Sequence, residues 1–470
     1  MNAQPISTGQ RNVIIVLLIS AAFVTVLNQT LFLIAIPPIM EDFYIEPSQG
    51  QWLTTAFLLT NGILIPVTAF LIDKFSDRSL LIAAISIFSA GTLLGGIAPS
   101  FPVLLAARVI QAAGAGIMMP LMQTVLLTIF PMEKRGSAMG TVGLVIGFAP
   151  AIGPTLSGWI VDNYSWRYLF YIVLPIALLV LVAAIRYMKN FTALQNTKLD
   201  IPSLILSTLG WGGLLYGFSM AGSVGWISPV VFISLLVGGV TLIFFIRRQL
   251  RLEQPILEFR VFKSSVFSLT TFLGTLMFAL MVGTQLLLPI YTQDVRGIPA
   301  MESGLVLLPG AIIMGVMSPV TGRIFDRFGG RGLAITGFSL IFLAMLFFIN
   351  LSMETSVLLI ALYFACMMTG MSMVMMPLAT AGINALPNRL IAHGTAMNNT
   401  IRMVGGSIGT ALLISIMSNA QVNSSAANPV LAMMDGIHTS FIVSCVLALG
   451  GLVISFTLKK RQTEKISTHV

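Results

Sequence analysis

Charged residues are scarce in this sequence. Asp, Glu, Lys and Arg together account for 9% of its 470 residues, whereas apolar residues account for 56%. Soluble proteins carry about 25% of these four residue types, so this chain has too few charges to cover a water-facing surface. The composition therefore excludes a soluble globular protein and is typical of a protein with many membrane-spanning segments.

Reactive side chains are scarce as well. The two cysteines, Cys366 and Cys445, lie inside apolar runs, so no disulfide framework is predicted. The three histidines, His393, His438 and His469, fall in a predicted loop, at a span end and in the tail. The sequence has neither a G-x-x-x-x-G-K-S/T phosphate-binding loop nor an H-E-x-x-H zinc motif. We therefore expect no ATPase, no enzyme, no metal site and no cofactor.

Long apolar runs are what the sequence has in abundance. A helix needs roughly 20 apolar residues to cross a bilayer, and the run that starts at Val13 is too long for the core of a signal peptide. The sequence predicts fourteen transmembrane helices. The predicted spans lie at about 13–38, 51–72, 79–99, 102–129, 137–160, 167–188, 200–220, 228–246, 265–290, 302–322, 332–351, 356–380, 395–418 and 438–457.

The positive charges fall mainly on one side of this topology. Most of the 25 Lys and Arg residues lie in the short loops that share a side with the N-terminus. Cytoplasmic loops carry such an excess, so both termini are predicted to be cytoplasmic. The position of the basic residues in these loops explains the formal net charge of +9. It predicts the lipid bilayer, and not a nucleic acid, as the partner of this charge.

An internal repeat divides the chain. Residues 114–140 resemble residues 370–398, and the loop at 71–78 resembles the loop at 323–331. Two related six-helix halves with a cavity between them are typical of secondary transporters. The predicted division is 1–190 for the N-terminal half, 191–260 for two inserted helices and a cytoplasmic linker, 261–460 for the C-terminal half and 461–470 for a cytoplasmic tail.

Five motifs carry a family resemblance. They are GRIFDRFGGR (322–331), its degenerate copy AFLIDKFSDR (69–78), RVIQAAGAG (108–116), GFAPAIGPTLSG (147–158) and WRYLFYIVLP (166–175). In this order and spacing the chain resembles the major facilitator superfamily, and within it the fourteen-span drug:proton antiporters, including the lincomycin-type multidrug exporters. The resemblance covers nearly the whole chain.

The resemblance implies both a fold and a function. The fold is that of an all-α membrane protein, the major facilitator fold, with two six-helix halves, two inserted central helices and both termini cytoplasmic. The function is proton-coupled export of amphipathic drugs across the bacterial cytoplasmic membrane by alternating access, with a monomer as the working unit. The alternative is a housekeeping exporter of a lipid, a bile-like acid or a signalling metabolite.

One position departs from the family pattern. Many of these exporters have an acidic residue in the first span, whereas this sequence reads LNQT with Asn28 at that place. The Asp and Glu residues all lie in predicted loops or at span ends. Asp42, Asp294 and Glu302 are therefore fallback proton acceptors, and the other interpretation is that they are surface carboxylates.

Polar residues inside the spans are the candidates for substrate binding or proton coupling, because such residues are costly in a membrane. These candidates are Asn28, Gln29, Arg108, Gln111, Asn398, Asn399 and Arg402. The alternatives are a purely interhelical bond for Asn28 and an outward-reaching side chain for Arg108. For Arg402 the alternative is anchoring at the cytoplasmic surface. Buried positive charge without a carboxylate predicts a preference for neutral or anionic amphiphiles over dications.

Two further groups of residues are candidates for the conformational change. The first group is predicted to form ion pairs between helices that break when the halves rock, or else to be solvated loop residues: Asp73, Arg78, Asp326, Arg327 and Arg331. The second group is small or imino residues that let helices approach and bend, or that serve generic packing: Gly147, Pro150, Gly153, Pro154 and Gly158.

Overall fold

The computed structural model describes residues 8–192, 194, 199–424, 426 and 428–458, and the predicted tail at 461–470 lies outside this part of the chain. Within it, fourteen helices are long and apolar enough to cross a membrane. The predicted number of spans is therefore confirmed. The exact domain boundaries stay predictions.

The helices are numbered α1 to α14 in chain order. Those of the first half are α1 Thr8–Phe43, α2 Trp52–Lys74, α3 Asp77–Gly96, α4 Phe101–Ile129, α5 Arg135–Asn163 and α6 Tyr168–Tyr187. The inserted pair is α7 Ile201–Val224 and α8 Pro229–Arg251. Those of the second half are α9 Ser265–Pro289, α10 Ala300–Phe328, α11 Gly330–Ile349, α12 Val357–Asn384, α13 Ile391–Val422 and α14 Pro429–Ser455. A π-helical turn at Ile290–Val295 extends α9.

Several helices are longer than their apolar runs. Helix α1 continues through Pro37 and Pro38 to Phe43, and α14 begins at Pro429, well before the predicted position 438. Helix α13 begins at Ile391, so His393 lies in its first turn and not in a loop. Hydropathy detects the apolar part of a helix, whereas its backbone hydrogen bonds continue into polar sequence.

The two halves repeat the same packing. In the first half α1 packs on α5, α2 on α4, α3 on α4 and α3 on α6, and the helices eight numbers higher make the same pairs in the second half. This agrees with the internal repeat in the sequence. The inserted helices α7 and α8 pack on each other, and α7 also contacts α2 and α13.

The halves meet mainly along four pairs of helices: α5 packs on α10 and on α12, and α13 packs on α2 and on α4. Small residues make the first of these contacts close. A Cβ atom on Gly322 would overlap the carbonyl oxygen of Gly136, and one on Gly140 would lie 2.6 Å from the carbonyl oxygen of Ser318. Such contacts let the two backbones touch, as is common between membrane helices.

We call the side of the bundle at which α1 begins and α14 ends the terminal side. The ends of α2 and α10 and the beginnings of α5 and α13 meet there. By the distribution of Lys and Arg, this side is the one predicted to face the cytoplasm.

Candidate substrate and gating site

Arg108 is the centre of a buried polar network. Its guanidinium is 1% exposed, and Nη1 donates to Oδ1 of Asn28 at 2.8 Å and to Oε1 of Gln111 at 3.0 Å. Gln111 in turn donates from Nε2 to Oγ1 of Thr92 at 2.9 Å. The network joins α1, α3 and α4, so Asn28 meets two other predicted site residues, Arg108 and Gln111, that lie about 80 residues further along the sequence.

Two aromatic rings enclose the same guanidinium. The Cζ atom of Arg108 lies 4.1 Å from the centre of the Phe32 ring and 4.3 Å from that of Phe57. A cation over an aromatic face gains about 2 kcal/mol or more when it is desolvated. Amide oxygens and rings, in place of a carboxylate, therefore stabilise this charge.

The amide NH2 group of Asn28 stays unused in this arrangement. It is 1% exposed, and its Nδ2 has no hydrogen-bond partner among the described residues. Gln29 follows on the same helix and is half-buried. An unused buried donor beside a buried cation gives this region two ways to contact the polar group of a ligand.

Arg402 on α13 is buried but has a different environment. Its side chain is 6% exposed, its Cζ lies 4.9 Å from the centre of the Phe278 ring, and its Nε has no partner in the described part of the chain. Phe278 lies thirteen residues into α9, which is about 20 Å along that helix. The guanidinium thus lies deep in the bundle, which favours a role there over anchoring at the cytoplasmic surface.

The two asparagines near Arg402 bind other helices. Asn398 donates from Nδ2 to Oγ1 of Thr271 on α9 at 3.3 Å. Asn399 donates from Nδ2 to Oε1 of Gln123 on α4 at 2.7 Å, which joins the two halves inside the membrane region. Sequence reasoning missed Gln123, because one amide in an apolar run does not reveal its partner.

At the terminal side, Asp73 and Arg78 contact groups that the sequence did not predict as their partners. Asp73 faces Nε2 of His393 at 3.1 Å, while Arg78 donates to the carbonyl oxygen of Ile185 at 2.6 Å within the first half. The backbone N–H of Glu258 donates to Nδ1 of His393 at 3.2 Å. His393 had no role in the sequence interpretation, because its position in a helix next to Asp73 depends on the fold.

Asp326 makes the second contact between the halves. It accepts from the backbone N–H groups of Gly136 and Ser137 at 2.7 and 2.8 Å, and also from the Ser137 hydroxyl. These are the first N–H groups of α5, where the helix dipole favours a negative charge. Arg135 adds a bond from Nη1 to Oδ1 of Asn384 on α12 at 3.0 Å.

The structure also shows neighbours of the two arginines near Asp326. The Cζ atom of Arg327 lies 5.2 Å from the centre of the Phe328 ring. Arg331 lines a pocket on the terminal side with Ser265. The N–H donors at the N-terminus of α5 are contacts of Asp326 that the sequence motifs do not display, and the pairing with arginines stays a prediction.

The glycines of α5 differ in what surrounds them. A Cβ atom on Gly147 would lie 2.5 Å from the backbone nitrogen of Gly315 on α10, and one on Gly153 would overlap the side chain of Thr30 on α1. Around Gly158 there is nothing within 4 Å. Close packing therefore explains the first two glycines and does not explain the third.

The prolines of α5 do not interrupt it. The helix is continuous from Arg135 to Asn163, and Pro150 within it is half-buried. The side chain of Pro154 lies outside the described part of the structure.

The fallback proton acceptors lie on the side opposite the terminal side. Asp42 accepts from Nη1 of Arg167 at 2.7 Å and from Nε1 of Trp166 at 3.1 Å. The hydrogen bond from Arg167 holds the pKa of Asp42 below its usual value, so this carboxylate is a poor acceptor. Asp294 and Glu302 are exposed, which agrees with surface carboxylates.

The buried acidic residues lie away from the two buried arginines. The buried acidic side chains of the described residues are Asp73, Asp77 and Glu258. All three lie at helix ends or in connections on the terminal side. The described structure therefore has no carboxylate at the depth of Arg108 or Arg402.

Known proteins share the sequence and the fold of this chain. The chain is 62% identical over 452 residues to "Uncharacterized MFS-type transporter YcnB" of Bacillus subtilis (strain 168), covering 96% of both chains. It is 42% identical over 457 residues to "Lincomycin resistance protein LmrB" of the same organism, covering 95% of both. The crystal structure of the human organic anion transporter MFSD10 (TETRAN) superposes with a TM-score of 0.69 at 14% identity, covering 96% of this chain and 100% of that one, and this likeness shows the fold.

The family follows from the profile match and the relatives together. The sequence profile of the Major Facilitator Superfamily matches residues 18–410. The expectations of a multi-pass membrane protein, of the major facilitator fold and of a protein that is not an enzyme are confirmed. The chain belongs to the Major Facilitator Superfamily and is a transporter related to lincomycin resistance proteins.

Proposed function

We propose that this transporter exports small amphipathic compounds, drugs among them, across the bacterial cytoplasmic membrane in exchange for protons. The proposal includes alternating access between two six-helix halves and a monomer as the working unit. The relationship to proteins named for lincomycin resistance supports the drug substrates. Proton coupling is what the resemblance to drug:proton antiporters implies.

The observation that carries the proposal is the set of polar contacts between the halves. His393 with Asp73, Asp326 with the N-terminus of α5, and Arg135 with Asn384 all lie on the terminal side. If this side is cytoplasmic, the structure corresponds to a state closed toward the cytoplasm. A few hydrogen bonds that form or break together suit a two-state gate.

The buried polar residues support a substrate path between the halves. Arg108 and Asn28 come from the first half, whereas Arg402 and Asn399 come from the second. Asn399 reaches across to Gln123 on α4, so the two groups belong to helices that face each other. A mostly apolar path with few polar groups is what amphipathic ligands need.

The test is export by the purified full-length chain in proteoliposomes. Dansylamide, a neutral fluorescent amphiphile, is offered on the terminal side under an imposed proton gradient that is acid on the opposite side. We expect accumulation against its gradient, lost when nigericin collapses the pH difference. Transport that ignores the pH gradient would contradict proton exchange.

Two variants relate this transport to the gate. Asp326→Asn keeps one acceptor oxygen for the two N–H groups of α5 but loses the charge that favours the helix N-terminus. We expect a loss of about tenfold in transport rate, since charged hydrogen bonds contribute roughly 1.5–3 kcal/mol. Ser234→Ala is the control, because this hydroxyl bonds only within its own helix, to Val230.

A further inference from the structure

We propose that Arg402 is the binding site for an anionic group, a carboxylate or sulfonate, on the amphipathic substrate. This inference rests on the proposed export function and gives it a substrate class. It also gives a role to a buried charge that the gate does not use.

Arg402 and Arg108 differ in how far the protein satisfies them. Arg108 donates to Asn28, to Gln111 and to the carbonyl oxygen of Leu53. The guanidinium of Arg402 has the Phe278 ring against it, and its buried Nε has no acceptor among the described residues. A buried charge without acceptors is costly, and an incoming anion would supply them.

Among the described residues, no buried acid lies near Arg402 to take this place. Asn398 and Asn399, one turn earlier on α13, direct their amide donors to Thr271 and Gln123. The buried acids of the described residues are on the terminal side, and Arg402 lies eleven residues into α13, which is about 16 Å along the helix. A ligand could therefore bring the counter-charge that the buried described residues do not supply.

The packing of α9 on α13 fixes the orientation of this guanidinium. Cβ atoms on Gly406 and Gly409 would lie 2.9 Å from the Phe278 ring and 2.6 Å from Ala279. These glycines bring α9 close and hold Phe278 against the face of Arg402. With one face covered, the N–H edge is left for a ligand, and a guanidinium edge binds carboxylates and sulfonates through two parallel hydrogen bonds.

The experiment compares two dyes that differ in one group. Dansyl sulfonate and dansylamide share the same dimethylaminonaphthalene ring, and the first is an anion whereas the second is neutral. Binding of each to the full-length chain in nanodiscs is measured by fluorescence titration, with empty nanodiscs subtracted. We expect the native protein to bind the sulfonate at least about tenfold more tightly than the amide, as one charged hydrogen-bonded pair provides.

Three variants test whether Arg402 is responsible for the tighter binding of the sulfonate. Arg402→Gln should weaken sulfonate binding about tenfold or more and change amide binding less than about twofold. Arg402→Lys, which keeps the charge but not the two-bond edge, should fall between. Arg247→Gln removes an exposed Arg near the end of α8 and should bind both dyes like the native chain.

Three outcomes would overturn the proposal. The first is equal affinity of the native chain for both dyes. The second is an equal loss of affinity for both dyes in Arg402→Gln. The third is that this variant binds the sulfonate as tightly as the native chain does. The first outcome is measured on the native chain, so the proposal can be tested even if Arg402→Gln does not fold. The export function is judged separately, because dansylamide transport under a proton gradient does not depend on this result.

Discussion

His393 on α13 places its Nε2 3.1 Å from Oδ2 of Asp73 on α2, and both side chains are buried. The backbone N–H of Glu258 donates to Nδ1 of the same ring, so Nδ1 is an acceptor and the proton of the neutral imidazole is on Nε2. The imidazole then donates to the carboxylate. One side chain thus connects the first half, the second half and the segment that follows the inserted helices.

Loss of this contact should open the terminal side. His393→Ala would leave the buried Asp73 carboxylate and the Glu258 N–H without a partner, at a cost of about 1–3 kcal/mol to the closed state. We expect nitroxide labels at Lys74→Cys and Arg389→Cys, both exposed positions on the terminal side, to move apart. Electron paramagnetic resonance distances between the labels measure this.

The histidine on the other side serves as the control. His438 bonds through Nε2 to the carbonyl oxygen of Leu351 at 2.8 Å within the second half, so His438→Ala should leave the label distances unchanged. The labelling is done in a chain without Cys366 and Cys445. An unchanged distance distribution in His393→Ala would show that the pair does not hold the gate.

The seam between α5 and α10 should tolerate no side chain at Gly147. Its Cβ would lie 2.5 Å from the backbone of Gly315, whereas Gly158 on the same helix has free space around it. Gly147→Ala should lower the melting temperature and reduce transport severalfold, because two backbones must separate. Gly158→Ala should match the native chain or be more stable by up to about 1 kcal/mol, since Ala favours helices.

Thermal unfolding in detergent and dansylamide transport check both variants. Equal behaviour of the two variants would mean that these glycines act in the same way, as hinges or as mere packing. The sequence places both in one Gly/Pro-rich series and cannot separate them. Their separation depends on which face of α5 meets α10, and that is a property of the fold.

The sequence predicts the number of spans because hydropathy is local. It also predicts that Arg108 and Asn28 matter, since polar groups in an apolar run need partners. It does not predict the pairs at the gate, because Asp73, Glu258 and His393 lie far apart in the chain. It also does not predict that Asp326 accepts from backbone N–H groups of α5, because motifs show side chains and not backbone donors.

Asn28→Asp should stabilise the protein at neutral pH. The acceptor of the 2.8 Å bond from Arg108 would become a carboxylate next to a cation that now has none, and charged hydrogen bonds contribute roughly 1.5–3 kcal/mol. Asn28→Ala should destabilise it by a similar amount. Melting temperatures at pH 7 measure both.

The stabilisation that Asn28→Asp brings should depend on the guanidinium of Arg108. In Arg108→Gln the same Asn28→Asp change would bury a carboxylate without its partner and should lower the melting temperature instead. A gain that persists without Arg108 would show that the two side chains are not coupled. A double-mutant cycle over these two positions gives the coupling directly.

If Arg402 binds an anion that crosses the membrane with its charge, export of that anion should respond to membrane potential more steeply than export of a neutral analogue. Exchange of one dansylamide for one proton moves one charge, whereas exchange of one dansyl sulfonate for one proton moves two. One elementary charge is worth about 2.3 kcal/mol per 100 mV.

Potassium gradients with valinomycin, at equal pH on both sides, set the potential, and initial rates of both dyes are compared. We expect a clearly steeper dependence for the sulfonate and no transport of either dye against its gradient at zero potential. Identical dependences would mean that the sulfonate crosses with its charge neutralised, so that Arg402 would not be carrying an anion across.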